Sequence, residues 1–543
     1  MPAGGHPLAA NEVRKPRDSH DRRTILGRME LENAACYRAV LARDARYDGR
    51  FFTCVRTTGI YCRPICPARP PKLQNCTFVA SAAAAQEAGY RPCLRCRPES
   101  SPTLDAWRGT SATVSRALKL IESGALDESD IDALAARLQI GARQLRRLFR
   151  RHVGAAPITV AQTRRVLLAK QLIHQTQLGM TEIALASGFG SLRRFNETFQ
   201  RIYGRAPSQL RERSSGATTV SGISLLLPYR PPYDWQAMLQ FLATRAIAGV
   251  ESVTADSYAR VIGVGQHVGS IQVTQDPAQA ALRVVVRFPQ LEALPTIIAR
   301  TRRLFDLGAE PLAILEALES DPILAPLVRA RPGLRVPGAW DGFEIAVRGV
   351  LGQQISVREA TRLGARLVSM LGEPVGEELG QPALTHAFPR PEAFSVAGLA
   401  PLRVPRSRIE CINGIAAAAR TQPDLFDPSR DLGAAVGRLR QIAGVGEWTA
   451  QYIAMRGLGE SDAFLASDAA LQRVLAVRGK RPSTAEVLAR AESWRPWRAY
   501  AVLHLWMRAA AEAPARGLAQ VPAQPGTSPS PSSRQPRTAA WSP

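Results

Sequence analysis

The chain has 543 residues, room for about three to five domains at roughly 100–200 residues each. Its 45% hydrophobic content excludes wholesale disorder, and it has no run of about 18 apolar residues that could span a membrane. Seventy Lys and Arg against 46 Asp and Glu leave a net charge of +24. Such an excess points to a polyanionic partner, nucleic acid first, although the Ala, Arg and Pro bias of a GC-rich genome gives the same signature.

Residues 1–30 are polar and aperiodic. They lack the apolar stretch of a secretion signal, so a loose leader and a cytoplasmic location are expected. Residues 31–103 hold seven of the eight cysteines (36, 54, 62, 66, 76, 93 and 96), with only Cys411 beyond them. In a chain without a secretion signal, that clustering reads as a metal site, not a disulfide framework. Cys62-x3-Cys66 and Cys93-x2-Cys96 are separated by 26 residues. Two such pairs can close around one tetrahedral Zn²⁺, each supplying two thiolates. An Ala-rich helix is expected between the pairs, near Ala80–Ala88 and ended by Gly89. Cys36, Cys54 and Cys76 fit no ligand spacing and read as small buried hydrophobes.

The strings Arg56-Thr57-Thr58-Gly59-Ile60-Tyr61-Cys62-Arg63-Pro64-Ile65-Cys66 and Gly89-Tyr90-Arg91-Pro92-Cys93-Leu94-Arg95-Cys96 resemble the zinc domain of the Ada family. The resemblance implies that Cys62 accepts a methyl group from a DNA methylphosphotriester while Cys66, Cys93 and Cys96 complete the zinc set. Four thiolates on Zn²⁺ carry a net charge of −2, and methylating one reduces it to −1. Beside arginines 56, 63, 91 and 95, that change would strengthen DNA binding as an electrostatic switch. A purely structural zinc clip is the alternative.

Residues 108–213 are helical by pattern, and Arg137 to Arg165 contains eight arginines and no acid. Leu134, Leu138, Leu145, Leu148 and Phe149 form one core stripe, with a turn expected at Gly141. Ile183, Ala184, Phe195, Phe199 and Tyr203 repeat the plan around Gly188-Phe189-Gly190. Two helix-turn-helix units could enter successive major grooves. The segment, through Tyr203-Gly204-Arg205-Ala206-Pro207, resembles the AraC-type DNA-binding domain. Arg143, Arg146, Arg147, Arg193, Arg194 and Asn196 are its candidate DNA contacts, against the plainer reading of a solvated basic face.

After a linker at Ser214-Ser215-Gly216, residues 220–290 carry strand-like runs (SGISLLLPY, SYARVIGV, GSIQVTQ, ALRVVVRF) interrupted by a helix between Asp234 and Ala248. This predicts a small antiparallel sheet with a helix on one face. Residues 291–513 are helical, and 514–543, with seven prolines, read as a disordered tail. Within the helical part, Leu439–Ala450 predicts helix, tight turn, helix. Gly444 and Gly446 bare backbone N–H groups that suit a DNA phosphate, as in a helix–hairpin–helix.

Phe343-Glu344, Gly352-Gln353-Gln354, the hairpin, Asp462–Asp468 and Trp494–Trp506 together resemble AlkA-type 3-methyladenine DNA glycosylases. The resemblance implies Asp468 as the catalytic carboxylate and Trp448, Tyr452 and Trp506 as the aromatic base pocket. It puts Gln354 at the intercalating position, where an apolar wedge is typical. Core packing of Trp448 and Trp506, and a helix N-cap role for Asp468, are the structural alternatives. Enzymes of this superfamily that also nick the strand carry a lysine where Trp448 stands, so base removal without lyase chemistry is expected, with no cofactor for this half.

The expected architecture is a multidomain α+β chain. It comprises a small α/β zinc module, an all-α double helix-turn-helix, a small antiparallel sheet-plus-helix domain and an all-α helix–hairpin–helix glycosylase domain. The implied function is an alkylation sensor and transcription regulator fused to a glycosylase that excises alkylated bases. Its partners would be double-stranded DNA, damaged and promoter, with RNA polymerase at the promoter, in the cytoplasm on the nucleoid. The alternative is a regulator whose glycosylase-like half binds DNA without catalysis. The Pro-Cys-His-Arg motif of an alkylguanine methyl acceptor occurs nowhere.

Overall fold

The computed structural model describes residues 33–101, 112–127, 129–211, 222–376, 379, 381–427 and 431–512. The expected leader, the linker at 214–216 and the tail at 514–543 lie outside the described residues.

The zinc module begins with helix α1 (Asn33–Ala42), followed by strands β1 (Phe52–Val55), β2 (Ile60–Cys62) and β3 (Cys76–Val79), helix α2 (Ala82–Glu87) and β4 (Arg91–Pro92). The sheet order is β3-β1-β2-β4, with β4 parallel to β2 and the other pairs antiparallel. Ser81 starts α2 by accepting the Ala84 N–H at 3.0 Å, and Gly89 ends it at φ +86°. The predicted Ala-rich helix therefore forms between the two cysteine pairs.

The next helices are α3 (Ala112–Glu122), α4 (Ile131–Arg137), α5 (Ala142–His152), α6 (Pro157–Gln175), α7 (Met180–Ala186) and α8 (Leu192–Tyr203). α4–α5 and α7–α8 are the two helix-turn-helix units, joined by the long α6. In the second unit Gly188 makes the turn at φ +87°. The first differs from expectation: the left-handed residue is Gln139 at φ +58°, and Gly141 is extended (φ −77°) and caps α5. Sequence reading favoured the glycine because a left-handed backbone costs a side chain about 1–2 kcal/mol.

The sheet domain contains β5 (Ile223–Pro228), α9 (Trp235–Ala243), β6 (Glu251–Val253), β7 (Ser257–Val264), β8 (His267–Asp276) and β9 (Ala281–Arg287), in the antiparallel order β5-β9-β8-β7-β6. β6 was not anticipated; it has three residues, too few to show alternation. α9 is shorter than the span expected between Asp234 and Ala248.

The remaining helices are α10 (Leu294–Leu304), α11 (Pro311–Leu318), α12 (Leu324–Ala330), α13 (Gly342–Leu351), α14 (Val357–Leu371), α15 (Val396–Leu399), α16 (Arg406–Thr421), α17 (Leu432–Arg440), α18 (Glu447–Gly457), α19 (Ala469–Val474), α20 (Thr484–Ala491) and α21 (Arg498–Ala511). Helices α13, α16 and α18 share one core through Ile345, Ile412 and Ile453.

A second core runs without interruption from α6–α8 (Ile173, Phe195, Phe199) into the sheet (Leu225, Tyr258, Val284) and α10 (Ile297). The backbone of Leu226 closes the junction. Its N–H donates to Gln175 Oε1 at 3.0 Å and its carbonyl accepts from Gln171 Nε2 at 2.8 Å.

Candidate functional site

The four-cysteine cluster is assembled by strand pairing. Cys62 ends β2, and β4 runs parallel beside it. The Cys93 N–H donates to the Tyr61 carbonyl at 3.0 Å, which places the second pair next to the first. The sulfurs of Cys62, Cys66, Cys93 and Cys96 all lie within 4.8 Å of one another. Tetrahedral Zn–S bonds of about 2.3 Å put sulfurs about 3.8 Å apart, and an all-thiolate donor set suits Zn²⁺, so the cluster fits that ion.

Cys93 and Cys96 are buried, whereas Cys62 and Cys66 are half-exposed. The Arg63 N–H also donates to Cys96 Sγ at 3.3 Å. The sulfurs of the first pair are therefore the more accessible ones.

The other cysteines differ from the cluster. Cys36 and Cys54 are buried hydrophobes, and burial pushes the Cys54 thiol up to about 12. Cys76 departs from expectation: it is half-exposed and its thiol donates to the Lys72 carbonyl at 3.4 Å. Of the four arginines read as a DNA-facing set, Arg56 and Arg95 are exposed and Arg91 is half-buried. Arg63 is turned inward, to the Asp48 carboxylate and, at 3.1 Å, the Cys96 carbonyl. It braces the cluster instead of facing solvent.

At the other end of the chain, Asp468 caps α19. Its Oδ1 accepts the backbone N–H groups of Ala470 at 3.0 Å and Leu471 at 3.1 Å. The same oxygen accepts Trp506 Nε1–H at 3.2 Å, and Oδ2 accepts Trp448 Nε1–H at 3.1 Å. One carboxylate thus ties together the start of α19, α18 and α21. Trp448 and Tyr452, one turn apart on α18, stack at 5.1 Å with planes 10° apart. Asp468, Trp448, Tyr452 and Trp506 therefore form one half-buried group. Oδ1 has three N–H donors and Oδ2 one, which leaves Oδ2 the oxygen with spare lone pairs. A cavity of about 790 Å³ lies elsewhere, lined by Trp340, Phe426, Arg300 and Arg303, and includes none of these four residues.

The hairpin stands beside this group. Gly444 adopts φ +86°, and a Cβ there would come within 2.8 Å of Cys411 Cβ. Gly446 caps α18 with an extended backbone. Gln353 Nε2 donates to the Gly444 carbonyl at 3.3 Å and to Thr449 Oγ1 at 3.1 Å. Its neighbour Gln354 is exposed and left-handed at φ +59°, so it projects from the loop after α13 alongside the hairpin.

On the helix-turn-helix units, Arg143, Arg146 and Arg147 are exposed on α5, and Arg193, Arg194 and Asn196 on α8. Arg193 is bonded to Glu197 at 2.8 Å, one turn along.

Three stretches of the chain match known domains: residues 35–99 the metal binding domain of Ada, 134–213 a helix-turn-helix domain, and 224–341 the AlkA N-terminal domain. A Mycobacterium tuberculosis protein named "Probable bifunctional transcriptional activator/DNA repair enzyme AlkA" is 41% identical over 476 residues, 87% of this chain and 95% of that protein. The chain belongs to this Ada–AlkA family. Its parts are similar to single proteins as well. The DNA-3-methyladenine glycosylase 2 of Escherichia coli is 36% identical over 52% of this chain and 95% of its own length. The bifunctional transcriptional activator/DNA repair enzyme Ada of the same organism is 33% identical over 32% of this chain and 48% of its own.

In this Ada–AlkA chain, sequence reasoning missed Arg456. It lies on α18 at i+4 from Tyr452 and i+8 from Trp448, a spacing that could have placed all three on one face. Arg456 Nη1–H donates to Tyr452 Oη at 2.8 Å. Gln353 and Arg408, which donates to the Gln353 carbonyl at 2.6 Å, were also missed as supports of the hairpin loop.

Proposed function

We propose that the chain is a DNA-3-methyladenine glycosylase that removes alkylated bases without strand cleavage, joined to a transcription regulator that senses DNA methylphosphotriesters. The observation that carries the enzymatic half is the Asp468 carboxylate, held by the indole N–H groups of the two tryptophans that flank it. Stacked aromatic rings favour a cationic alkylated base by about 0.5–2 kcal/mol. As the C1′–N bond breaks, its electron pair leaves with the base and positive charge develops on the sugar. Asp468 Oδ2 faces that charge and takes a proton from the attacking water. The group is half-buried, which leaves part of each side chain at the surface.

No lysine stands at Trp448, which supports hydrolysis over lyase chemistry. Gly444, Gly446 and the projecting Gln354 would hold the phosphate backbone and fill the gap left by the base.

In the sensor, Cys62, Cys66, Cys93 and Cys96 would hold one Zn²⁺, which keeps the sulfurs deprotonated at neutral pH. Half-exposed Cys62 attacks the methyl carbon of the phosphotriester; the O–C bond breaks, an S–C bond forms, and the electron pair stays on phosphate. The lost negative charge strengthens contact with DNA, and α5 and α8 present Arg146, Arg147 and Arg194 to it.

Incubation with methylated DNA tests the reading. Wild type releases free 3-methyladenine, and Asp468→Asn lowers the rate more than about a thousandfold. Release that persists in Asp468→Asn refutes the assignment; no release by wild type leaves a DNA-binding regulator.

A further inference from the structure

Arg300 and Arg303 stand one turn apart on α10 and line the cavity of about 790 Å³. That cavity lies where α3, the turn between β7 and β8, α10 and the start of α13 meet, at the C-terminal end of α18. The 11 residues of α18 put about 16 Å between this end and the hairpin. The cavity is therefore separate from the aromatic group around Asp468.

Arg303 has no carboxylate within 4 Å among the described residues, and Asp341 and Asp427 act on it only from farther away. Its Nη2 donates to the Trp340 carbonyl at 3.3 Å. Among the described residues its enclosed Nε has no partner, and Nη1 has none either and is not enclosed. Asp427 is taken by Arg137 at 2.5 Å, and Asp341 lies 3.5 Å from Arg300, beyond a good hydrogen bond. Like charges at this helical spacing repel. Burial, and after it the Arg300 cation, push the Arg303 guanidinium down to about 10, so it stays charged at neutral pH. Two neighbouring guanidiniums without a hydrogen-bonded carboxylate are best compensated by an anion in the cavity they line. Phe388 and Phe426, both half-buried, add flat apolar surface to its wall. A volume of this size between domains is that of a small-molecule site.

We propose that this cavity binds a small aromatic phosphate monoester, of the class of a nucleoside monophosphate. The phosphate sits on Arg303 and Arg300, and the ring lies against Phe388 and Phe426. A dianionic phosphate balances both guanidiniums, which a single carboxylate does not. The walls belong to α3, the sheet and the helical core at once, so the ligand joins these parts and stabilises the folded chain by mass action.

Calorimetric titration of adenosine 5′-monophosphate into the zinc-loaded full chain tests this. One equivalent binds. Adenosine, which lacks the phosphate, and inorganic phosphate, which lacks the ring, each bind at least about tenfold more weakly. Arg303→Met and Arg300→Met each weaken the nucleotide about tenfold, and Arg303→Lys restores part of the affinity. Excess abasic duplex, its own binding followed separately, leaves the nucleotide in place. Adenosine or inorganic phosphate bound as tightly as the nucleotide, an unchanged affinity in Arg303→Met, or displacement by the duplex overturns the proposal. So does the absence of binding at millimolar nucleotide. Arg300→Met decides the matter if Arg303→Met does not fold.

Discussion

Replacing Trp448 with phenylalanine isolates what the indole N–H does. The phenyl ring still reaches Tyr452, whose centroid lies 5.1 Å from that of Trp448, so stacking survives in part. What disappears is the one N–H that Asp468 Oδ2 accepts, at 3.1 Å. Hydrogen bonds to a charged group contribute about 1.5–3 kcal/mol, and the half-exposed position puts this one at the low end. A loss of about 1.4 kcal/mol in transition-state stabilisation slows the chemical step about tenfold. Trp506→Phe differs because Oδ1 keeps the backbone N–H groups of Ala470 and Leu471, so its chemical step slows less than about threefold. The assay is single-turnover release of 3-methyladenine at saturating enzyme, with lesion affinity measured separately to remove the stacking contribution. In an Asp468→Asn background, Trp448→Phe costs nothing further, since its effect passes through the carboxylate. If Trp506→Phe costs as much as Trp448→Phe, or if Trp448→Phe still slows Asp468→Asn, the assignment of Oδ2 is wrong.

Further outcomes follow from other sites. Cys62→Ala abolishes methyl uptake from a methylphosphotriester duplex, read by intact mass, while zinc content falls below the single equivalent of wild type; a methylated Cys62→Ala protein refutes the choice of acceptor. Alanine at Arg146, Arg147 or Arg194 lowers the salt slope of DNA binding by about one each. Arg193→Ala lowers it less, because Glu197 already pairs with Arg193. His504 is 5% exposed, and burial, with Arg331 second, pushes it down to about 4. The unfolded chain takes up this proton near pH 6.5 and the folded chain refuses it. Stability from this group is thus complete above pH 6.5 and is lost as pH falls through about 4, some 3 kcal/mol in all. Urea unfolding of His504→Leu should show that much less loss between pH 7 and 4, and an unchanged pH dependence counts against the burial effect.

The legible parts of the fold were those specified by local chemistry. Ser81 and Gly89 bound the Ala-rich helix, period-two runs gave β5, β7, β8 and β9, and Gly444 gave the hairpin turn. The cluster of four cysteines was legible from ligand spacing alone. The grouping of Asp468 with Trp448 and Trp506, 20 and 38 residues apart, was reached only through family resemblance. No local rule links an N-cap to indoles on two other helices. Gln139 went unseen for a related reason: a left-handed non-glycine residue is held by its surroundings, here α4 and α5, and leaves no compositional mark.

The junctions between domains were the least legible, and α6 shows why. Helical periodicity picks out apolar stripes and says nothing about which polar residues are buried, so Thr163, Lys170 and Gln171 were not singled out. All three are buried. Lys170 is fully enclosed, donates to Glu99 at 2.8 Å and reaches the Cys93 carbonyl at 3.4 Å, within the zinc module. Thr163 donates to Gln86 of α2, and Gln171 bonds β5. The zinc module satisfies Thr163 and Lys170 and the sheet domain satisfies Gln171, which makes their burial tolerable. By contrast, α4 and α3 meet the glycosylase half through the partly exposed pairs Arg137–Asp427 and Lys119–Glu460. Such pairs contribute about 0–1 kcal/mol, whereas removing one partner of a buried pair costs about 3–5. The zinc module thus meets α6 through buried polar contacts, whereas the ion pairs of α3 and α4 with the glycosylase half are partly exposed. Through Lys170, the cysteine cluster is in direct contact with the helix that joins the two helix-turn-helix units.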